Sequence, residues 1–253
     1  MNKLILTSLI VVGMHAMIFA QSHSGKGGSK LSLGVFGGLN IPQLSGGGDN
    51  EMSRDYTSRL GAAFGVTSSY NLGPALAIQA DVLYSSEGGQ RNGMQAIDGA
   101  TINPDVPAGT YFYADFNNES ILNYIEIPLM VKYSILERKS SKIYANLGPY
   151  FGFLLNATQK TGGSSLIYAD RSGTMPLSPQ AQPFDASTDI KNDINAFNFG
   201  VTGGVVFAQK LGNGDIFLDL RAAYGLTTVQ KDSKNGKSHN GYLLTAFGYS
   251  IPL

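Results

Sequence analysis

Residues able to make or break bonds are scarce in this chain of 253 residues, which holds three histidines and no cysteine. Without cysteine there is no thiolate nucleophile, no disulfide and no thiolate zinc site, a usage that suits an oxidising compartment. His15 lies in an apolar leader, His23 in a Ser- and Gly-rich stretch, and His239 in Lys237-Ser238-His239-Asn240. A general base must reach its nucleophile or water within hydrogen-bond distance. Ser238 and His239 are chain neighbours, which is not triad geometry, and no Gly-x-Ser-x-Gly elbow accompanies them. A loop-sited hydrolase would have to rest on His239; the sequence assigns no catalytic residue and calls for no cofactor. Two histidines with no carboxylate cluster around them give no transition-metal site. The acids Asp49, Glu51, Asp55 and Asp98 could attract calcium, or bridge through it to lipopolysaccharide, but such acids are ordinarily just solvated.

What remains is a small set of ionisable groups on one phase of alternating segments: Asp81, Glu126, Lys132, Asp219 and Arg221. Charges on a buried phase are costly unless paired and hydrogen-bonded, so they are expected to form a salt-bridged plug. The expected pairs are Arg221 with Asp81 or Glu126 at mid-height, and Lys132 with Asp219 nearer the short-turn end. Pro128 sits on the same phase of its segment, where a missing donor predicts a bulge or bend. A bulge there would shift the phase of Lys132.

The elements that must position these groups are strands. Charged residues make up 14 % of the chain, against roughly 25 % in a soluble domain, and 32 glycines and 26 Phe plus Tyr accompany them. Lys plus Arg equals Asp plus Glu at 18 each, which leaves no basic surplus for nucleic acid. Alternation predicts eight strands near 31–41, 59–72, 75–87, 121–135, 141–157, 196–209, 214–227 and 241–252. Tight turns (Gly73-Pro74, Glu137 to Ser140, Gly212 to Gly214) alternate with long loops near 42–58, 88–120, 158–195 and 228–240. Most of those loops exceed the ~12–15 residues usual inside a compact domain. Short turns on one side and long loops on the other are the pattern of an up-and-down barrel in an outer membrane.

The two faces of the strands separate membrane from water. In the second strand Leu60, Ala62, Phe64, Val66, Tyr70 and Leu72 alternate with Gly, Ala, Thr, Ser and Asn, and the fifth strand divides in the same way, with Asn156 on its polar phase. Small residues make a poor solvated surface but fit the crowded interior of an eight-stranded barrel, so the apolar phase is expected to face lipid. Aromatic residues on that phase form two girdles: Tyr70, Tyr133, Phe207 and Tyr249 at the short-turn end, and Tyr84, Phe153, Phe197 and Tyr224 at the long-loop end. Residues 1–20 read as a secretory signal peptide cleaved after Ala20, residues 21–30 as a flexible lead-in, and 31–253 as one barrel domain. The apolar last strand reads as a signal for the barrel-assembly machinery. Thr110 to Phe116 and Ser165 to Tyr168 are strand-like inside the long loops. They are expected to extend the third and fourth strands above the membrane, either as a hairpin that pairs only with itself or as strand edges open to a partner protein.

Two stretches carry a family resemblance: Tyr124-Ile125-Glu126-Ile127-Pro128-Leu129-Met130-Val131-Lys132-Tyr133 and Gly148-Pro149-Tyr150-Phe151-Gly152. They resemble strands of the outer-membrane β-barrel family that includes the PorT-like proteins of gliding and anaerobic Gram-negative bacteria. The resemblance implies an all-β, eight-stranded antiparallel up-and-down transmembrane β-barrel, similar to the OmpX and OmpA barrels, without assigned chemistry. One branch of that family is associated with type IX secretion. The resulting expectation is a non-enzymatic outer-membrane protein in contact with lipid and lipopolysaccharide, whose long loops meet an unknown surface or secretion-complex protein. A small-solute or ion channel and a loop-sited hydrolase are the alternatives.

Overall fold

Alternating small and apolar side chains favour the pleat, and the three tight turns bring consecutive strands together antiparallel. In the computed structural model, which describes residues 30–107 and 109–253, eight long strands close into a ring. These are β1 (Leu31–Gly46), β2 (Gly61–Asn71), β3 (Leu76–Asp98), β4 (Tyr111–Glu137), β5 (Ser141–Gly162), β9 (Phe197–Leu211), β10 (Gly214–Thr228) and β11 (Ser238–Pro252). Each pairs with its chain neighbour, β1 pairs with β11, and β4 with β5, so no edge is left in the ring. Three short strands lie in the loop between β5 and β9: β6 (Ser164–Ser165), β7 (Gln182–Pro183) and β8 (Ala186–Asp189). The signal peptide and nearly all of the lead-in fall outside the described residues. No described helix is long and apolar enough to cross a membrane.

Outward side chains form a continuous apolar surface, with Phe64 56 % and Leu147 64 % exposed. Phe36, Ala63, Leu83, Tyr150, Val206, Tyr242 and Leu244 fill the interior instead. The ring is narrow enough that some inward positions have no room for a Cβ. At Gly38 a Cβ would lie 2.0 Å from the Thr245 carbonyl oxygen, and at Gly148 1.9 Å from that of Leu129. Any larger residue there would push neighbouring strands apart.

The strands depart from the alternation pattern in two ways. β3 and β4 continue pairing as far as Asp98 and Tyr111, well beyond 87 and 121, because backbone pairing persists where no lipid imposes an apolar phase. Bulges in the β4–β5 ladder fall at Asn123/Tyr124 and Ser134/Leu136, while the register runs unchanged through Pro128. The expected bulge at Pro128 is therefore corrected, and Lys132 keeps its inward phase. The first bulge flips Asn156 outward, where its Oδ1 accepts from Asn123 Nδ2 at 2.6 Å.

Candidate functional site

Three levels of the barrel carry polar side chains: the lumen, a funnel at the short-turn end, and a sheet that rises beyond the long-loop end. In the lumen, β10 places Asp219 and Arg221 two residues apart on its inward face, and β3 does the same with Gln79 and Asp81. The Arg221 guanidinium meets Asp81 Oδ2 at 2.9 Å and Asp219 Oδ2 at 2.5 Å, and all three side chains are buried. Gln79 Nε2 donates to Asp81 Oδ1 at 2.9 Å. Arg221 thus takes one of its two expected partners, Asp81, together with the acid expected for Lys132.

The expected pairing of Lys132 with Asp219 is corrected. Lys132 Nζ instead sits 4.2 Å from the centroid of the Tyr144 ring. Arg221 reaches Asp219 along its own strand, two residues away, whereas Lys132 would have to cross from β4. Glu126 does not meet Arg221 either; its Oε2 accepts from the Tyr242 hydroxyl at 2.6 Å. Glu87, fully buried and in contact with Glu126, was outside the expected set. Its signal was present in the sequence, since it continues the inward series Gln79, Asp81, Leu83, Ser85 by one step. Ser85 Oγ donates to Glu87 Oε1 at 3.0 Å, and Asn40 Nδ2 donates to Ser85 Oγ at 2.7 Å. The hydrogen-bonded run Asn40–Ser85–Glu87 therefore faces the Tyr242–Glu126 pair across the lumen above the arginine.

All eight girdle aromatics lie on the outer face: Tyr70, Tyr133, Phe207 and Tyr249 near the short-turn end, and Tyr84, Phe153, Phe197 and Tyr224 toward the other. Tyr84 pairs with Ile125 and Ile125 with Phe153, which in turn pairs with Phe197, so three of the four upper aromatics follow one line of pairing, while Tyr224 pairs with Val201, four residues from Phe197. Beyond that level the outward residues turn polar at Ser86, Asn123 and Asn156.

Above the girdle, β3, β4 and β5 continue as one sheet, with β8 added beside β5 and a one-turn helix (Gly99–Ile102) at its tip. Tyr111 to Phe116 pairs with β3, and Tyr113 bridges Tyr168, so both strand-like loop segments pair within the chain. Arginines hold the loops over the barrel mouth. Arg91 donates to the carbonyls of Glu51, Met52 and Arg54 at 3.2–3.4 Å and lies 5.2 Å from the centroid of the Tyr56 ring. Arg171, from the β5–β9 loop, pairs with Asp55 and Glu51, and Arg54 pairs with Glu51 at 2.6 Å. Hydrogen bonding to Glu51 raises the Arg54 pKa above its ordinary value. Asp170 turns its own loop by accepting from the Ser172 hydroxyl and from Thr174 and Met175 backbone N–H groups. Those donors, Ser172 first, hold its carboxyl well below the usual range.

Of the four loop acids considered for calcium, Glu51 and Asp55 are engaged by arginines and Asp98 caps the tip helix through Ala100 N at 3.1 Å. Ser238 Oγ accepts from Gln230 Nε2 at 3.1 Å, while the neighbouring His239 ring stacks on Tyr224 at 6.0 Å. The two side chains thus leave β11 toward different partners.

Residues 19–231 match the family described as "outer membrane protein beta-barrel domain". Among solved structures, neisserial surface protein A is similar at 15 % identity, with 90 % of this chain and 100 % of that one covered and a TM-score of 0.41. Ail, the attachment invasion locus protein of Yersinia pestis, is similar at 9 % identity, 87 % and 98 % coverage and a TM-score of 0.37. The outer membrane protease OmpT from Escherichia coli is similar at 11 % identity, 91 % and 99 % coverage and a TM-score of 0.40. No curated protein matches the sequence.

Proposed function

This chain belongs to the outer-membrane β-barrel domain family and resides in the outer membrane, and from that premise we propose that it is a non-enzymatic barrel whose raised extracellular sheet engages another protein. The partner is a surface component or a subunit of a secretion assembly. One observation carries this reading: the β3–β4 hairpin outgrows the apolar band. From Glu87 to Asp98, strand β3 runs on for about 35 Å of strand length at about 3.3 Å per residue. A barrel that served only to span lipid would have no use for that length, and ordering it costs about 1–2 kcal/mol of backbone entropy per residue. Rigid scaffolds commonly present binding elements in this way. Met175 and Leu177, at 56 % and 53 % exposure, add apolar surface beside the sheet.

The test is a shortened protein in which residues 91–118 are replaced by an Asn-Gly turn joining the paired residues Gln90 and Glu119. The expected result is a barrel that still folds and shifts on a heat-modifiability gel, but that no longer co-purifies the partner which the full chain retains from solubilised outer membranes. Identical co-purification by both forms would contradict the proposal.

A channel is the second reading, and the side chains in the lumen weigh against it. The Arg221 cluster, the Glu87–Glu126 chain, and the Tyr124 and Tyr150 rings fill successive levels of an eight-stranded ring. Reconstituted in a planar bilayer, the protein is expected to give no steady single-channel current. A steady current would favour solute or ion conduction.

A further inference from the structure

At the short-turn end the barrel opens into a funnel of about 760 Å³, within the range of small-ligand sites. By the orientation of such barrels this end faces the periplasm. The funnel ends on the Arg221–Asp219 pair, and its wall carries Ser, Thr, Asn and Tyr144 among apolar side chains. Six cations line it against three acids. Asp219 is bound by Arg221, and Glu137 and Asp215 lie 3.7 and 3.9 Å from Lys142.

That pairing leaves Lys132, Arg138, Lys139 and Lys210 without a carboxylate within 4.0 Å among the described residues. Lys132 is the deepest of the four and the most constrained. Its ammonium carries three donors, none of which has a hydrogen-bond acceptor among the described residues, and its one close partner is the Tyr144 face. Asp81 and Asp219 lie near enough to act on it through space, but both are committed to the guanidinium. A concave site with low-dielectric walls and unbalanced charge of one sign concentrates counter-ions. An ammonium at its inner end, with basic turns at its mouth, matches a group bearing several anionic oxygens.

We infer that the funnel binds a small phosphate-bearing anion, with the Lys132 ammonium as the inner contact and Arg138, Lys139 and Lys210 as the mouth. The phosphate has two possible sources, a soluble periplasmic solute or the headgroup of a lipid in the inner leaflet. This site is at the opposite end of the barrel from the raised sheet and does not depend on its role.

The experiment titrates inorganic pyrophosphate into the folded protein in non-ionic detergent and follows binding by calorimetry. One-to-one binding is expected, weakened about tenfold in Lys132→Met, which corresponds to one lost charge-assisted hydrogen bond. Lys132→Arg retains most of the affinity, and Arg138→Ala with Lys139→Ala gives a smaller loss that fades with added salt. Displacement of pyrophosphate by dihexanoyl phosphatidylglycerol assigns the site to a lipid headgroup, and failure of that lipid to displace it assigns the site to a soluble anion. The inference is overturned if neither pyrophosphate nor the short-chain lipid binds, or if Lys132→Met binds pyrophosphate as tightly as the parent. A folded-barrel gel shift for each variant ensures that a loss of binding is not a loss of structure.

Discussion

Replacing Arg221 with leucine is expected to lower the unfolding free energy of the barrel in detergent by about 3–5 kcal/mol, the usual cost of removing one partner from a buried ion pair. Arg221 is shared between Asp81 and Asp219, so its loss leaves two buried carboxylates at once. Among the described residues, Asp81 would keep only the Gln79 amide, and Asp219 Oδ1 has no hydrogen-bond partner even now. Urea titration of the folded band on a gel measures the effect. Adding Asp81→Asn and Asp219→Asn to Arg221→Leu is expected to recover a large part of the loss, because the penalty lies in the stranded charges more than in the missing guanidinium. Lys132→Met serves as the comparison. Its partner is a ring face worth about 0.5–2 kcal/mol, so it should cost clearly less than Arg221→Leu. Equal losses in the two variants would mean that the plug is not organised around Arg221.

The distribution of these charges explains how much of the site could be seen in the sequence. Strand phase depends only on a period of two, and it placed Asp81, Glu126, Lys132, Asp219 and Arg221 inside the barrel. Partner choice depends on which inward residues share a height across the lumen, and that follows from strand tilt and stagger, which no single strand encodes. Arg221 could be matched to Asp81 by charge, but its use of Asp219, on its own strand, hinges on side-chain reach. Glu87 was hidden for a different reason. It is the last residue of the expected strand 75–87, where the outward residues become polar, so although its phase is inward no apolar residue beyond it fixes that phase. The strand-like run Thr110 to Phe116 pointed to the extension of β3 and β4, but the same fading hid its length and register, since strands clear of lipid need no apolar face to stay paired. Asn156 changed sides because of a bulge at Asn123/Tyr124, a backbone event with no mark of its own in either strand.

Leu147→Arg should show a second large effect, and it tests where the outer surface sits. Leu147 points away from the lumen and pairs with Val131 and Gly203. It lies four residues from Ile143, which pairs with the lower-girdle Phe207, and six from Phe153 of the upper girdle. At that depth an arginine is expected to cost about 2–4 kcal/mol when the protein is folded into lipid vesicles, whereas Tyr133→Arg at the interface should cost only about 0–1 kcal/mol. The contrast between the two sites is the measurement, because a bilayer imposes a gradient with depth that water cannot. Both side chains are more than half exposed, so on a solvated surface either change would stay within about 0.5 kcal/mol. Denaturant titration of each variant in vesicles gives the two costs directly. Two equally small values would remove the hydrocarbon from around Leu147, and the interior position of the charged plug, which is fixed by the opposite phase of the same strands, would lose its basis.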